Sequence, residues 1–194
     1  MDFLKKLFNI PIKEDKQIQN QEVNLSLDDL FVHNFVNKGG KFLYCTSEAD
    51  VKTNFANILT ENNWKSVQLL NTKLKSVINQ KEVTIDSKLN SEAPIFTTCE
   101  HLIADKGDVL FSSNQLKSTR LKEFTNNFIV YATTSQLVKD TGQGLTGIKT
   151  KYVNNLPTNI SSIKNYNTQN VDDNFLNYGN NNSKNLYLLL FEDL

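Results

Sequence analysis

Short apolar segments alternate with amphipathic segments along most of this chain, a pattern that predicts strands alternating with helices. Apolar runs of strand length are bounded by polar or glycine-containing turns. The predicted strands are Lys41–Cys45, Ser66–Leu69, Val83–Ile85, Ala93–Phe96 continuing to Thr98, Val109–Phe111, Phe128–Ala132, Asn159–Ile163 and Leu186–Phe191. Because segments of helical character separate many of these strands, we expect an α/β domain with a mostly parallel sheet.

Several of the amphipathic segments carry recognisable helix signals. Ser26 is a predicted N-cap, and Gly39-Gly40 ends the helix that follows it. Ser47 and Asp50 resemble a capping box at the start of a second helix. The predicted helices are 26–38, with Leu27, Leu30, Phe31, Phe35 and Val36 on its apolar face, then 49–59, 72–78, and one that begins at Ser135 and continues to Lys151. The segment His101–Ala104 is predicted to be a short apolar turn.

The length and composition fit a single domain preceded by a short extension. A chain of 194 residues that is 39% hydrophobic can bury one substantial core. We therefore predict a single α/β domain over 26–194 and, over 1–25, a short helix followed by a polar arm. Met1–Asn9 is amphipathic. A segment this short binds a membrane surface only marginally, so packing on its own domain or on a second subunit is favoured.

Charge and cysteine content exclude several functional classes. Lys+Arg and Asp+Glu both number 21, which gives no overall attraction to nucleic acid or to an acidic membrane. No apolar run reaches the ~20 residues of a membrane span, and the amino terminus lacks the apolar core of a signal peptide. Two cysteines and two histidines cannot form a four-cysteine cluster site or a histidine-rich metal site. We therefore expect a soluble, cytoplasmic protein with no cofactor in this chain.

Small hydroxyl residues follow three of the predicted strands, and this repetition is the strongest functional signal. In open α/β sheets, ligands bind at the carboxyl ends of the strands. The candidate ligand-binding residues at these ends and in the turn between them are Thr98, Asp105, Gly107, Ser112, Ser113, Thr134, Ser135 and Gln136. Each also has a simpler explanation: the hydroxyls as strand-end or cap residues, and Asp105 and Gly107 as turn residues.

Glu100 is the candidate catalytic carboxylate. It follows a predicted buried strand, where partial desolvation would raise its pKa into a range suited to proton transfer. The alternative is an acidic residue in the first turn of a helix, stabilised by the helix dipole. A catalytic pair of Cys99 with His101 is disfavoured, because the two lie too close in sequence, and a buried structural thiol is the better interpretation of Cys99.

The order of these segments resembles the LUD domain family of lactate-utilisation proteins (LutC/YkgG type). The first similar segment is Leu102–Phe111, which follows the family pattern A-(I/V)-A-(D/E)-T-G-(T/S)-(L/I)-V-L. The second is Phe128–Val138, and the third is Asn159–Ile163 with the later apolar strand. Lys106 and Asp108 replace the threonines that flank the glycine in the family. The segment 164–167 replaces a Gly-Pro-Ser turn, which argues for a divergent ligand or a reduced role.

The resemblance implies both a fold and a role. The fold would be a three-layer α/β/α sandwich similar to the NagB/RpiA/CoA-transferase group. The role would be an accessory subunit in the oxidation of lactate to pyruvate, which binds a small carboxylate or phosphorylated ligand while iron–sulfur clusters reside on partner subunits. Two alternatives stay open: a stand-alone enzyme that uses Glu100 on a phosphorylated or acyl substrate, and a non-catalytic scaffold or regulator with a decayed pocket. The departures disfavour the stand-alone enzyme.

Overall fold

A computed structural model describes residues 25–86, 92–117, 119–167 and 182–193. The predicted amino-terminal helix and arm lie outside these residues, apart from Leu25. The division of the chain into 1–25 and 26–194 therefore stays a prediction.

The large sheet contains six strands, all parallel, in the order β1-β10-β7-β4-β2-β3. The strands are β1 Lys41–Cys45, β2 Ser66–Leu69, β3 Thr84–Ile85, β4 Ile95–Thr98, β7 Asn127–Thr133 and β10 Asn185–Phe191. The three central strands β4, β7 and β10 are almost completely buried. Their continuous apolar runs are typical of parallel strands covered on both faces.

Two helices cover opposite faces of the large sheet. Helix α1 (Leu27–Asn37) is capped by Ser26, whose hydroxyl accepts from the Asp29 amide, and it places Phe31 and Phe35 in the core. Helix α2 (Glu48–Glu61) begins with the predicted capping box and packs on the other face, together with the 3₁₀ turn Thr72–Val77. The apolar face predicted for α1 is narrower than expected, because Val36 is 48% exposed.

A second, smaller sheet shares the core layer of α1. Its strands are β5 His101–Ile103, β6 Asp108–Ser112, β8 Leu137–Val138 and β9 Ile160–Ile163, in the order β8-β5-β6-β9. Its residues Leu102 and Phe111 pack in the same cluster as Phe31 of α1. Helix α4 (Thr141–Lys151) covers its other side through Ile148. The remaining short elements are helix α3 (Ser113–Leu116) and the 3₁₀ turns Leu121–Glu123 and Thr134–Gln136.

The predicted fold class is confirmed: an α/β fold with a mostly parallel sheet flanked by helices, consistent with a three-layer α/β/α sandwich. The smaller sheet accounts for two wrong predictions. The segment predicted as an apolar turn from His101 is strand β5, because it pairs with β6 and β8. The helix predicted from Ser135 is a 3₁₀ turn and strand β8, and Asp140 is the true N-cap of α4.

No helix in the described part of the chain combines the length and the apolar character that a membrane crossing requires.

Candidate functional site

A cleft opens at the carboxyl edge of the large sheet. Since its strands are parallel, the ends of β2, β4 and β7 meet at this edge, where ligands bind in open α/β sheets. The cleft has a volume of ≈ 220 Å³. Its polar lining comes from Thr98 at the end of β4, Tyr131 near the end of β7, Asn71 after β2, Lys73 and Ser76 in the 3₁₀ turn, and Glu48 and Lys52 in the first turns of α2.

Asn71 holds the wall of the cleft in place. Its amide nitrogen donates to the Thr98 hydroxyl over 3.1 Å, and its amide oxygen accepts from the backbone N–H of Lys73 over 3.0 Å. The second bond makes Asn71 the N-cap of the 3₁₀ turn. Because Thr98 accepts from Asn71, its own hydroxyl proton is left to donate toward the cleft.

The charges around the cleft favour an anion. Among the side chains that line the cleft, Lys52 and Lys73 are positively charged and Glu48 is negatively charged, and within the described ranges neither lysine forms a salt bridge. Burial, together with the negative charges of Asp193 and Glu48, raises the pKa of Tyr131. The phenol therefore stays protonated at neutral pH and is a hydrogen-bond donor at the cleft wall.

The hydroxyls that follow β7 bind a carboxylate of the chain itself. Asp193, which comes after β10, accepts from the Thr134 hydroxyl over 2.7 Å, from the Ser135 hydroxyl over 2.6 Å and from the Ser135 amide over 2.9 Å. The hydrogen bonds from Ser135 are the main reason that the pKa of Asp193 lies well below its usual range. These two predicted ligand-binding residues thus tie the end of β10 to the end of β7.

Gln136 connects the two sheets. Its amide nitrogen donates to the carbonyl oxygens of Cys99 over 2.7 Å and Glu100 over 3.1 Å. Its amide oxygen accepts from the Thr133 amide over 2.8 Å. All the hydrogen-bonding groups of this side chain are used in holding the β4–β5 connection against the end of β7.

Glu100 is buried and its carboxylate is fully satisfied. One oxygen accepts from the Ser112 hydroxyl over 2.6 Å and from the Gln115 amide over 2.7 Å. The other accepts from Lys151 and Tyr152, both over 3.2 Å. We call these five residues the Glu100 network.

The expectation of a raised pKa for Glu100 is wrong. Burial acts to raise the pKa, but the hydrogen bonds from Ser112 and Gln115 and the charge of Lys151 outweigh it, and the pKa is lowered. A carboxylate held ionised by four donors is a poor proton acceptor at neutral pH, because it has a low pKa and its lone pairs are already engaged.

The other predicted site residues lie away from the cleft. Asp105 and Gly107 form the β5–β6 turn, which packs against the carboxyl-terminal half of α1, near the amino end of β1. Gly107 has φ +63°, and a Cβ there would lie 2.4 Å from the backbone nitrogen of Phe35, so close approach of two backbones explains the glycine. Ser113 accepts from the Thr158 amide over 3.0 Å, outside the large sheet.

The sequence analysis missed Lys52 and Lys73 of the cleft, for which no local pattern gave a signal, and two further groups of residues. Asn71 and Tyr131 lie at or just beyond the ends of predicted strands, so the same strand-end argument would have found them. Lys151 and Tyr152 are about fifty residues from Glu100 in sequence. No local pattern indicates that they meet.

The described residues contain no group of three or more histidine, cysteine, aspartate or glutamate side chains placed to hold a metal ion. Cys45 and Cys99 are both free and buried. Burial raises the pKa of the Cys99 thiol far above its usual value. The thiol is therefore neutral and unreactive.

No protein-family model matches this sequence, and no curated protein matches it either. Among solved structures, the chain is similar to the crystal structure of a DUF162 family protein from Deinococcus radiodurans. The TM-score is 0.60 at 11% sequence identity, over 87% of this chain and 99% of that chain. This likeness shows the fold. DUF162 is the LUD-domain-like family, so the fold is compatible with the LUD-type domain that the sequence resembles.

Proposed function

We propose that this protein is a LUD-type domain that binds a small carboxylate or phosphorylated ligand in the cleft at the carboxyl edge of the large sheet. The observation that carries the proposal is the lining of that cleft: two lysines, Lys52 and Lys73, that form no salt bridge with any described residue, beside the hydroxyls of Thr98 and Tyr131. Charged and neutral donors that converge on one cavity are the groups an anion requires. The likeness to a DUF162 family protein supports the choice of family.

The size of the cleft supports a small ligand. Its ≈ 220 Å³ lies below the roughly 300–1,000 Å³ of pockets for drug-sized molecules. The apolar side chains of Val51 and Leu74 line it beside the donors. A three-carbon acid such as lactate or pyruvate, or a short phosphate ester, matches this combination of a charged head group and a small apolar body.

In the proposed role the chain binds its ligand and leaves electron transfer to others. The resemblance to LutC-type proteins suggests partner subunits that carry iron–sulfur clusters and oxidise lactate to pyruvate. We assign Glu100 a structural role in this proposal, because its four donors and lowered pKa suit a fixed carboxylate better than a base. Glu100 links β6, α3 and α4 to the end of β4 and so supports the edge of the large sheet beside the cleft.

The test is isothermal titration calorimetry of the purified chain with L-lactate, pyruvate and inorganic phosphate as separate probes. Lys73→Ala removes one positive charge from the cleft and should weaken binding about 10–150-fold, since a charge-assisted hydrogen bond contributes roughly 1.5–3 kcal/mol. Lys75→Ala is the matched control, because Lys75 lies in the same 3₁₀ turn but lines a different depression. Thr98→Val tests the hydroxyl donor.

Binding of at least one probe that Lys73→Ala weakens and Lys75→Ala leaves unchanged would support the proposal. Absence of binding by all three probes at millimolar concentration, in a protein that unfolds cooperatively, would refute it. Equal weakening by both lysine variants would show that the anion responds to overall surface charge and not to the cleft.

A further inference from the structure

An exposed apolar surface lies at the free edge of the large sheet, where the end of β1 meets the start of α1. Strand β1 pairs with β10 on one side, and no described strand pairs with its other side. We define the β1 edge surface by Leu25, Leu27, Phe42 and Tyr44. Leu25 is 43% exposed, Leu27 39% and Tyr44 46%, and the ring centroids of Phe42 and Tyr44 are 6.4 Å apart.

Helical spacing explains why Leu27 belongs to this surface. Leu27 lies one helical turn before Leu30 and Phe31, which are on the face of α1 that packs on the core. Its side chain therefore continues that apolar face beyond the part that the sheet covers. Desolvation and the carboxylates of Glu192 and Asp28 raise the pKa of Tyr44. The first turn of α1, which contains Asp28, thus lies close to the end of β1.

The rim of the β1 edge surface is acidic. Asp28 and Asp29 occupy the first turn of α1, and Glu192 follows directly after β10, the neighbour of β1. Among the described residues, none of the three is in a salt bridge with a lysine or arginine. The surface therefore suits an apolar segment that also carries positive charge.

The sequence of the chain itself contains such a segment, ending sixteen residues before Leu25. Met1–Asn9 has the sequence MDFLKKLFN, with five large apolar residues, Met1 included, and the adjacent pair Lys5 and Lys6. It is joined by residues 10–24 to Leu25, which is part of the β1 edge surface. At roughly 3.4 Å per residue this connection reaches at most about 50 Å, well beyond the ~17 Å length of a five-residue strand. A tether of this kind gives an effective concentration of millimolar order.

We propose that Met1–Asn9 docks on the β1 edge surface of its own chain, with Phe3, Leu4, Leu7 and Phe8 against the apolar residues and the two lysines toward the acidic rim. A docked segment covers the free edge of a parallel sheet, which otherwise exposes unpaired backbone groups to a second copy. The amino-terminal residues would then act as a cover that keeps two copies from joining edge to edge.

Hydrogen–deuterium exchange of the full chain tests the proposal. The double variant Phe3→Asp/Leu7→Asp should speed amide exchange in β1 and in the first turn of α1 about tenfold, with no change in β4 or β7. The matched control is Ile12→Asp/Ile18→Asp, which makes the same chemical change in the connecting residues and should leave exchange in β1 unaltered. Light scattering should show a monomeric wild type and self-association of the Phe3→Asp/Leu7→Asp variant.

Three results would overturn the proposal. Equal exchange in wild type and in both double variants would mean that nothing in Met1–Asn9 covers β1. Protection of β1 that grows with protein concentration, with a dimeric wild type, would identify a second copy as the occupant. Protection that arises only after addition of vesicles containing phosphatidylglycerol would identify a membrane surface as the partner of this apolar region.

Discussion

Replacement of Glu100 by glutamine tests whether its carboxylate has a structural or a catalytic role. The substitution keeps the volume of the side chain and removes its charge. Ser112 and Gln115 then donate to a neutral carbonyl oxygen in place of a carboxylate oxygen. The amide nitrogen faces Lys151 and Tyr152, and Lys151, whose side chain is 57% exposed, can turn to solvent at small cost.

The expected loss of stability follows from these bonds. The two interior bonds, at 2.6 and 2.7 Å, have the short distances of charge-assisted hydrogen bonds, which contribute about 1.5–3 kcal/mol each against about 0.5–1.5 for neutral ones. The exposed Lys151 bond adds less than about 1 kcal/mol. Glu100→Gln should therefore lower the free energy of unfolding by about 2–3 kcal/mol at pH 7, or the melting temperature by roughly 4–12 °C.

Urea denaturation followed by the fluorescence of Trp64 gives the measurement, since this is the single tryptophan and it packs edge-on against Tyr187. Lys151→Met is the control and should cost less than about 1 kcal/mol. The effect also depends on pH. The unfolded carboxyl titrates near pH 4.5 and the folded one lower, so the advantage of wild type is complete above that pH and is lost as the pH falls through the folded pKa.

The reasoning would be refuted if Glu100→Gln were as stable as wild type at pH 7. If the same variant also lost binding of the calorimetry probes, Glu100 would have to be a residue of the working site. A stable protein with unchanged binding would mean that the Glu100 network contributes little to the fold.

Three further predictions concern the fold. Gly107→Ala should lower the free energy of unfolding by at least about 1–3 kcal/mol, because φ is positive and the new Cβ would lie 2.4 Å from the Phe35 nitrogen. Gly142→Ala is the control, because its new Cβ would meet only a side-chain oxygen of Asp140, at 3.1 Å. In the same urea titration its stability should stay within about 1 kcal/mol of wild type. Asp193→Asn should be less stable than wild type at pH 7, and the difference should shrink as the pH falls below 3.8 toward the folded pKa, which is lowered. Thermal melts at pH 7 and pH 2 should therefore show a smaller difference at pH 2, and a difference independent of pH would contradict the charge argument. Phe96→Ala should cost about 3–5 kcal/mol in calorimetric unfolding, because Phe96 is completely buried.

The large sheet could be predicted because its signals are local. Strands buried on both faces read as continuous apolar runs, and β10 and β7 are recognisable from their own residues alone. The smaller sheet could not be predicted in the same way. Strand β5 has three residues and β8 two, and both exist because β5 pairs with β8 on one side and with β6 on the other. No pattern inside such short segments distinguishes them from a turn.

The candidate site was predictable only in part for a related reason. The strand-end argument indicated Thr98, which lines the cleft. It also indicated Ser112, which is the last residue of β6 in the smaller sheet and donates to Glu100 instead. Deciding which strand ends share one edge requires the strand order. That order depends on contacts between residues far apart in sequence. The sequence alone therefore predicted one binding site from hydroxyl residues that lie on two different sheets.

Strand β10 sets the order in which this sheet can be completed during synthesis. It is the last of the described strands in sequence, yet it lies between β1 and β7 and forms the large-sheet pairings of β1 that the structure describes. Until residue 191 has left the ribosome, β1 lacks the partner it has in the described sheet, although it is the first of the described strands to emerge. The described part of the large sheet is therefore complete only after Phe191 has been translated, and until that late step the nascent chain carries an incompletely paired sheet.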